Sequence, residues 1–187
     1  ECGAGKDAGG EYVAGTRFNV QNDRPIIAPY GVNADGSGDM YYKGGNMLHT
    51  IRQIVGDDAK WRETLRGLNL TFRHQTVTGA QVQQYISHAT GVDLGKVFQQ
   101  YLTTTDVPVL EYTLADSLLT FRWTKVVPGF DMPLRVTLGD SGFSMIRPTE
   151  AWQHTTVQLK DPTTFRVDPN YYVLTQHDLT APREARH

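Results

Sequence analysis

The chain has 187 residues, with 18 Lys plus Arg against 20 Asp plus Glu, for a net charge of −2. With 39% hydrophobic and 20% charged residues it can bury the core of one large or two small domains and is not disordered by composition. Near-neutrality without a basic block argues against nucleic acid as a partner, and no apolar run approaches the roughly 20 residues that span a bilayer.

Glu1-Cys2-Gly3-Ala4-Gly5-Lys6 has no apolar signal core, so a signal peptide is absent or already removed. Cys2 is the single cysteine and cannot form an internal disulfide or a Cys-based zinc site. Residues 8–20 read as a helix weakened by Gly9, Gly10 and Gly15, and residues 22–39 as a long loop holding Pro25, Pro29 and the Asn33–Asp39 polar run. Such a long loop is more often functional than idle. Four helical stretches follow. Met47, Leu48, Ile51, Ile54 and Val55 share a face, with Gly56 as the stop. Trp61, Leu65, Leu68 and Phe72 form an amphipathic stripe behind a cap at Asp57 or Asp58. Thr78 caps a third helix that ends at Gly91, and Asp93 a fourth with Leu94, Val97, Phe98, Tyr101 and Leu102 inward.

After Thr103-Thr104-Thr105-Asp106 the period changes from 3.6 to 2. Alternation runs through Leu119-Phe121-Trp123, Leu134-Val136-Leu138, Phe143-Met145, Thr155-Val157-Leu159 and Phe165-Val167, with turns at Pro128-Gly129 and Gly139–Gly142. This predicts a small β-sandwich of roughly seven strands. The segment after Leu174 reads as a loose polar tail.

Several motifs dissolve on inspection. Gly3-Ala4-Gly5-Lys6 lacks the upstream Gly of a phosphate loop and has Asp7 where Ser or Thr would hold magnesium. The Asn33–Asp39 run resembles half a calcium loop, but Gly44 stands where the bidentate Glu belongs. Gly139-Asp140-Ser141-Gly142 looks like a trypsin-type nucleophile segment, yet Phe143 follows and it suits a hairpin turn. No two of the six histidines have His-x-x-x-His spacing. The segment that survives is Tyr41-Tyr42-Lys43-Gly44, where the long loop meets a helix. A tyrosine hydroxyl there can donate to a developing oxyanion; the plainer alternative is two surface aromatics.

Tyr41-x-Lys43-Gly44, then Met47-Leu48, Arg52 and Val55-Gly56-Asp57-Asp58, resembles the second half of the gluzincin zinc aminopeptidases, the family of aminopeptidase N and leukotriene-A hydrolase. Thr78, Gly91-Val92-Asp93-Leu94, Phe98-Gln99-Gln100-Tyr101-Leu102, Val107-Pro108-Val109-Leu110 and Asp168-Pro169-Asn170-Tyr171 extend the likeness over roughly residues 10–174. The resemblance implies an α + β multidomain chain: a helical part, residues 1–106, forming the second half of a thermolysin-like catalytic domain, a β-sandwich at 107–174 and a polar tail at 175–187. It implies Tyr41 as the catalytic oxyanion donor, with Lys43 and Gly44 structural: a helix start and a close backbone approach.

The family's His-Glu-x-x-His, its downstream zinc-binding Glu and its Gly-Ala-Met-Glu-Asn-type segment are missing, and no Glu sits beside a histidine pair. The chain therefore resembles a truncated C-terminal piece. Zinc and a peptide substrate belong to the full-length parent, and neither zinc nor activity is expected of the isolated chain. Self-association through an uncovered helical face is expected, and an exported or cell-envelope location. The alternative is a non-catalytic scaffold or interaction module of the same fold.

Overall fold

A computed structural model describes residues 3–115 and 117–178; Cys2 and the end of the tail lie outside them. The chain is α + β and divides into two compact units, Glu1–Thr105 and Asp106–His187. The first is helical: α1 (Gly5–Gly15), a short 3-10 turn (Thr16–Asn19), α2 (Asp39–Val55), α3 (Asp58–Thr71), α4 (Gly79–Thr90) and α5 (Gly95–Thr103). Residues 20–38 between the turn and α2 contain no helix or strand.

The helix ends follow local chemistry. Asp57 accepts from the amides of Ala59 and Lys60, and Thr78 and Gln81 form a reciprocal capping box. Gly56 and Gly91 close α2 and α4 in the left-handed conformation, at φ 69° and 72°. Asp93 accepts from the Gly95 amide at 3.0 Å, one residue ahead of the cap position held by Leu94. Where α3 meets α4, the Tyr85 hydroxyl occupies the space a Cβ on Gly67 would need.

The buried face of α2 differs from the sequence expectation. Met47 and Ile51 are buried as expected, but Leu48 is 37% exposed. Asp39, Lys43, Asn46, Thr50 and Gln53 take the rest of the buried face. Apolar periodicity cannot see such a face, because its residues are buried through hydrogen bonds rather than hydrophobicity. Gly44 also differs: a Cβ there would meet only the Asp39 carbonyl oxygen at 4.0 Å, so no close backbone approach requires glycine.

The second unit holds two sheets. The first, in the order β5-β2-β1-β6, contains β1 (Val109–Ala115), β2 (Leu118–Thr124), β5 (Gln153–Thr156) and β6 (Leu174–His177). The second pairs β3 (Leu134–Gly139) with β4 (Gly142–Ile146) across a two-residue Asp140-Ser141 turn, where Gly142 takes φ 109°. The strand pairings are antiparallel except β1 with β6, which is parallel and aligns Val109 with Leu174 and Tyr112 with His177. The core collects Leu110, Leu119, Trp123, Phe130, Met132, Leu134, Val136 and Tyr171, each at most 1% exposed. Trp123 stacks edge-on with Phe130 at 5.6 Å and donates its indole N–H to the Met132 carbonyl.

Three strand expectations change. Among the described residues there are six strands: the Phe165–Val167 run contributes only a single bridge, Val167 with Val136. Phe143 and Met145 face outward, 43% and 46% exposed, while Ile146 is buried. Thr175, Gln176 and His177, read as the start of a loose tail, belong with Leu174 to strand β6, held by parallel ladder bonds that a polar, exposed sequence does not advertise.

Candidate functional site

Tyr41 lies in the first turn of α2, and two buried charges fix that turn. The Asp39 carboxylate is 3% exposed and accepts from the Gln21 amide at 2.9 Å and the Asn22 amide at 2.7 Å, one oxygen each. It therefore spends its charge on two orphan backbone donors of the preceding loop. Ser37 completes the clamp, accepting from the Asp39 amide at 3.1 Å and donating to Asp23 at 2.6 Å. The Ser37 hydroxyl holds the Asp23 carboxyl below its ordinary range.

One turn later the Lys43 side chain is fully buried and donates from Nζ to the Thr104 carbonyl at 2.8 Å. Thr104 is the C-cap of α5, so the ammonium sits at the negative end of that helix. Asn46 ties the same face to the 3-10 turn: its Oδ1 accepts from Arg17 at 2.8 Å and its Nδ2 donates to Thr16 Oγ1 at 3.1 Å and to the Tyr42 carbonyl at 2.9 Å.

With the polar face pinned inward, Tyr41 must point outward. It is 74% exposed, and its hydroxyl makes no hydrogen bond with any described residue. Tyr41, Gly45 and Leu48 follow one another at spacings of four and three, forming an outward stripe with a glycine gap behind the ring. Tyr42 is 43% exposed and lies about 100° around the helix from Tyr41. At the far end of α2, Arg52 bonds Asp58 at 2.8 Å and Lys6 reaches the other oxygen at 2.9 Å; Arg52 first, then Lys6, hold the Asp58 carboxyl well below the usual range.

The motifs set aside from the sequence have ordinary partners here. Asp39 serves backbone amides, and Gly139–Gly142 is the β3–β4 turn with Asp140 paired to Lys160 at 3.3 Å. Among the described residues no three His, Cys, Asp or Glu side chains converge, so they do not fit a zinc site. Sequence reasoning missed a cleft of about 290 Å³ in the second unit, lined by Tyr112, Leu114, Pro162, Thr163, Phe165 and His177. The Tyr112 ring lies 4.7 Å from Phe165 and 5.3 Å from His177, and burial raises the pKa of its phenol. Because these residues come from β1, β6 and the segment between β5 and β6, no local motif joins them.

No family model matches the chain. Aminopeptidase N of Lactobacillus helveticus is 32% identical over 80 residues, which are 41% of this chain and 9% of that protein. Among solved structures, Legionella pneumophila aminopeptidase A in complex with aspartic acid superposes with a TM-score of 0.61 at 14% identity, over 87% of this chain and 21% of that one. The chain has an aminopeptidase-related fold, and it spans about a tenth of the curated relative and about a fifth of the solved one.

Proposed function

We propose that this chain forms the later helices of the catalytic domain, and the β-rich domain that follows, in a zinc-dependent aminopeptidase of the gluzincin type. Its own contribution to the chemistry is the Tyr41 hydroxyl. As the carbonyl of the scissile bond becomes tetrahedral, the phenol donates a hydrogen bond to the oxygen that takes up charge. Zinc would polarise that carbonyl and activate a water, on ligands supplied by other parts of the parent. The isolated chain therefore has no turnover.

The observation that carries this reading is the two-sided locking of the first turn of α2. Asp39 anchors the loop side and Lys43 the helix side, so the backbone that carries Tyr41 is fixed, and its outward hydroxyl has no partner among the described residues. A catalytic donor needs that preorganisation, because a group that must first break another bond or lose rotamer freedom stabilises the transition state less. Phe18, Tyr30 and Met40 are 97%, 84% and 47% exposed on this unit, apolar side chains suited to rest against further protein or, uncovered, to self-associate.

The test is Tyr41→Phe in an active parent. It keeps the ring and removes the donor, so kcat falls by about 10²–10³ while KM changes little. Tyr42→Phe, one residue away, changes kcat by less than about tenfold. Equal, mild effects of the two substitutions would remove Tyr41 from the chemistry.

A further inference from the structure

The rings of the β-rich unit are not all in its core. Trp123, Phe130 and Tyr171 are at most 1% exposed. Tyr112 and Phe165 are only half-buried and His177 is exposed, and these three line the cleft of about 290 Å³.

Backbone bonds hold the walls of that cleft. Tyr112 and Leu114 stand two apart on β1 and so share a face, and the parallel register with β6 sets the His177 ring against Tyr112. The Asp178 amide donates to the Tyr112 carbonyl at 2.8 Å, which carries the pairing past the imidazole. Phe165 follows the 3-10 turn Pro162–Thr164, and Thr137 of β3 grips the next residue twice. The Thr137 amide donates to the Arg166 carbonyl at 2.9 Å, and its hydroxyl oxygen accepts from the Arg166 amide at 2.8 Å.

Two polar groups in the wall are unspent. The Thr163 hydroxyl is not one of them, because it donates to Asp161 at 2.7 Å, and the Thr163 amide meets the same carboxylate oxygen at 2.9 Å. The Tyr112 hydroxyl and the ring nitrogens of His177 make no hydrogen bond with any described residue, and the hydroxyl is not sealed from solvent. No lining residue carries a fixed charge.

These features narrow the ligand. A cavity of roughly 150 Å³ holds one benzene, so the cleft has room for two fused rings. Flat rings in the wall favour a flat ligand, met offset or edge-on. A neutral ligand fits best, since an ion would lose water without gaining a counter-charge. A neutral imidazole keeps one acceptor nitrogen for an N–H donor. We infer that this cleft binds a small, neutral, two-ring aromatic molecule that packs against Tyr112 and Phe165 and donates a ring N–H to His177. The site lies in the other unit and does not rest on the Tyr41 reading.

The probe is indole, titrated into the full chain and followed by amide chemical shifts in two-dimensional NMR. The shifts should saturate as a single site and concentrate on residues 112–114, 163–165 and 175–177. N-methylindole keeps the rings but has no donor, and should bind about fivefold more weakly. Cyclohexanol should not bind. Phe165→Leu keeps an apolar side chain and should weaken indole binding at least about threefold. His177→Phe keeps a ring beside Tyr112 and should erase the preference for indole over its N-methyl form. The same spectra report whether each variant folds, and the two control ligands test the unaltered chain. Failure of the shifts to saturate at these residues overturns the inference. So does equal binding of cyclohexanol, an affinity that neither substitution changes, or a preference for indole that survives His177→Phe.

Discussion

The two units bury different chemistry. In the β-rich unit the best-buried side chains are apolar and aromatic: Trp123, Phe130, Met132, Leu134 and Tyr171. The helical unit buries Leu94, Phe98 and Tyr101 as well, but its central helix adds Asp39, Lys43, Asn46 and Thr50 beside Met47 and Ile51, while Tyr12, Phe18 and Tyr30 lie outside. Both units are held by area removed from water, and the helical one leans in addition on directed bonds that fix the positions of a loop and a helix start. An apolar core tolerates small shifts, whereas a hydrogen-bonded clamp holds one arrangement, and the proposed catalytic tyrosine sits on the clamp.

The largest effect expected from this contrast is at Trp123. Trp123→Ala removes a 1%-exposed indole and its bond to Met132, and should destabilise the β-rich unit by about 3–5 kcal/mol in denaturant unfolding. If the helical unit unfolds separately, its transition should hardly move; one shared transition would tie the two units energetically.

Alkali offers a second handle. Burial pushes the Tyr171 phenol up to about 12, with the adjacent Arg135 opposing the shift. The unfolded chain releases that proton from its ordinary 10.0, so stability holds below pH 10 and declines between pH 10 and about 12. The loss should reach on the order of 2 kcal/mol, and Tyr171→Phe should flatten this part of the pH profile. An unchanged profile would mean that Tyr171 is not what resists ionisation.

Asp39→Asn tests the clamp. It turns one of two backbone acceptors into a donor facing an amide, at a cost of about 1–2 kcal/mol. Limited proteolysis between residues 20 and 38 should accelerate while the β-rich unit stays intact. Unaltered cleavage would show that the loop does not depend on this carboxylate.

The smallest effect is at Asp58, whose carboxylate is 36% exposed. Its lowered pKa means that its contribution is present at neutral pH and lost as pH falls below the usual 3.8. Because solvent screens the network, Asp58→Asn should cost under about 1 kcal/mol, and added salt should shrink even that. A larger cost would place this network alongside the buried clamp rather than on the surface.

The helix ends were legible in the sequence because capping is local: Asp57, Thr78 with Gln81, Gly56 and Gly91 act within one turn of themselves. The motif around Tyr41 made it a candidate in the sequence, but the clamp beneath it was not legible there. Asp39 meets Gln21 and Asn22, and Lys43 meets Thr104, through distances in sequence that no periodicity spans. Leu48 was misplaced for the same reason, since an apolar residue beside a buried polar face looks like core. On β4, Phe143 and Met145 have the alternation of an inward face, and only the pairing with β3 reveals that they point out. The Tyr112 cleft and β6 depend on strands brought together from opposite ends of the unit.

The parallel pairing of β6 with β1 carries a kinetic consequence. The helices of the first unit are held by bonds within themselves and can form as they are synthesised, although the Lys43 bond waits for Thr104. The larger sheet cannot be completed until Leu174 has emerged to lie beside Val109, and until then one edge of β1 stays open. During that interval an unpaired strand edge invites the corresponding strand of another chain. The order of synthesis thus lets the helical unit close once Thr104 is made and leaves the β-rich unit exposed longest to misassembly, whatever their final stabilities.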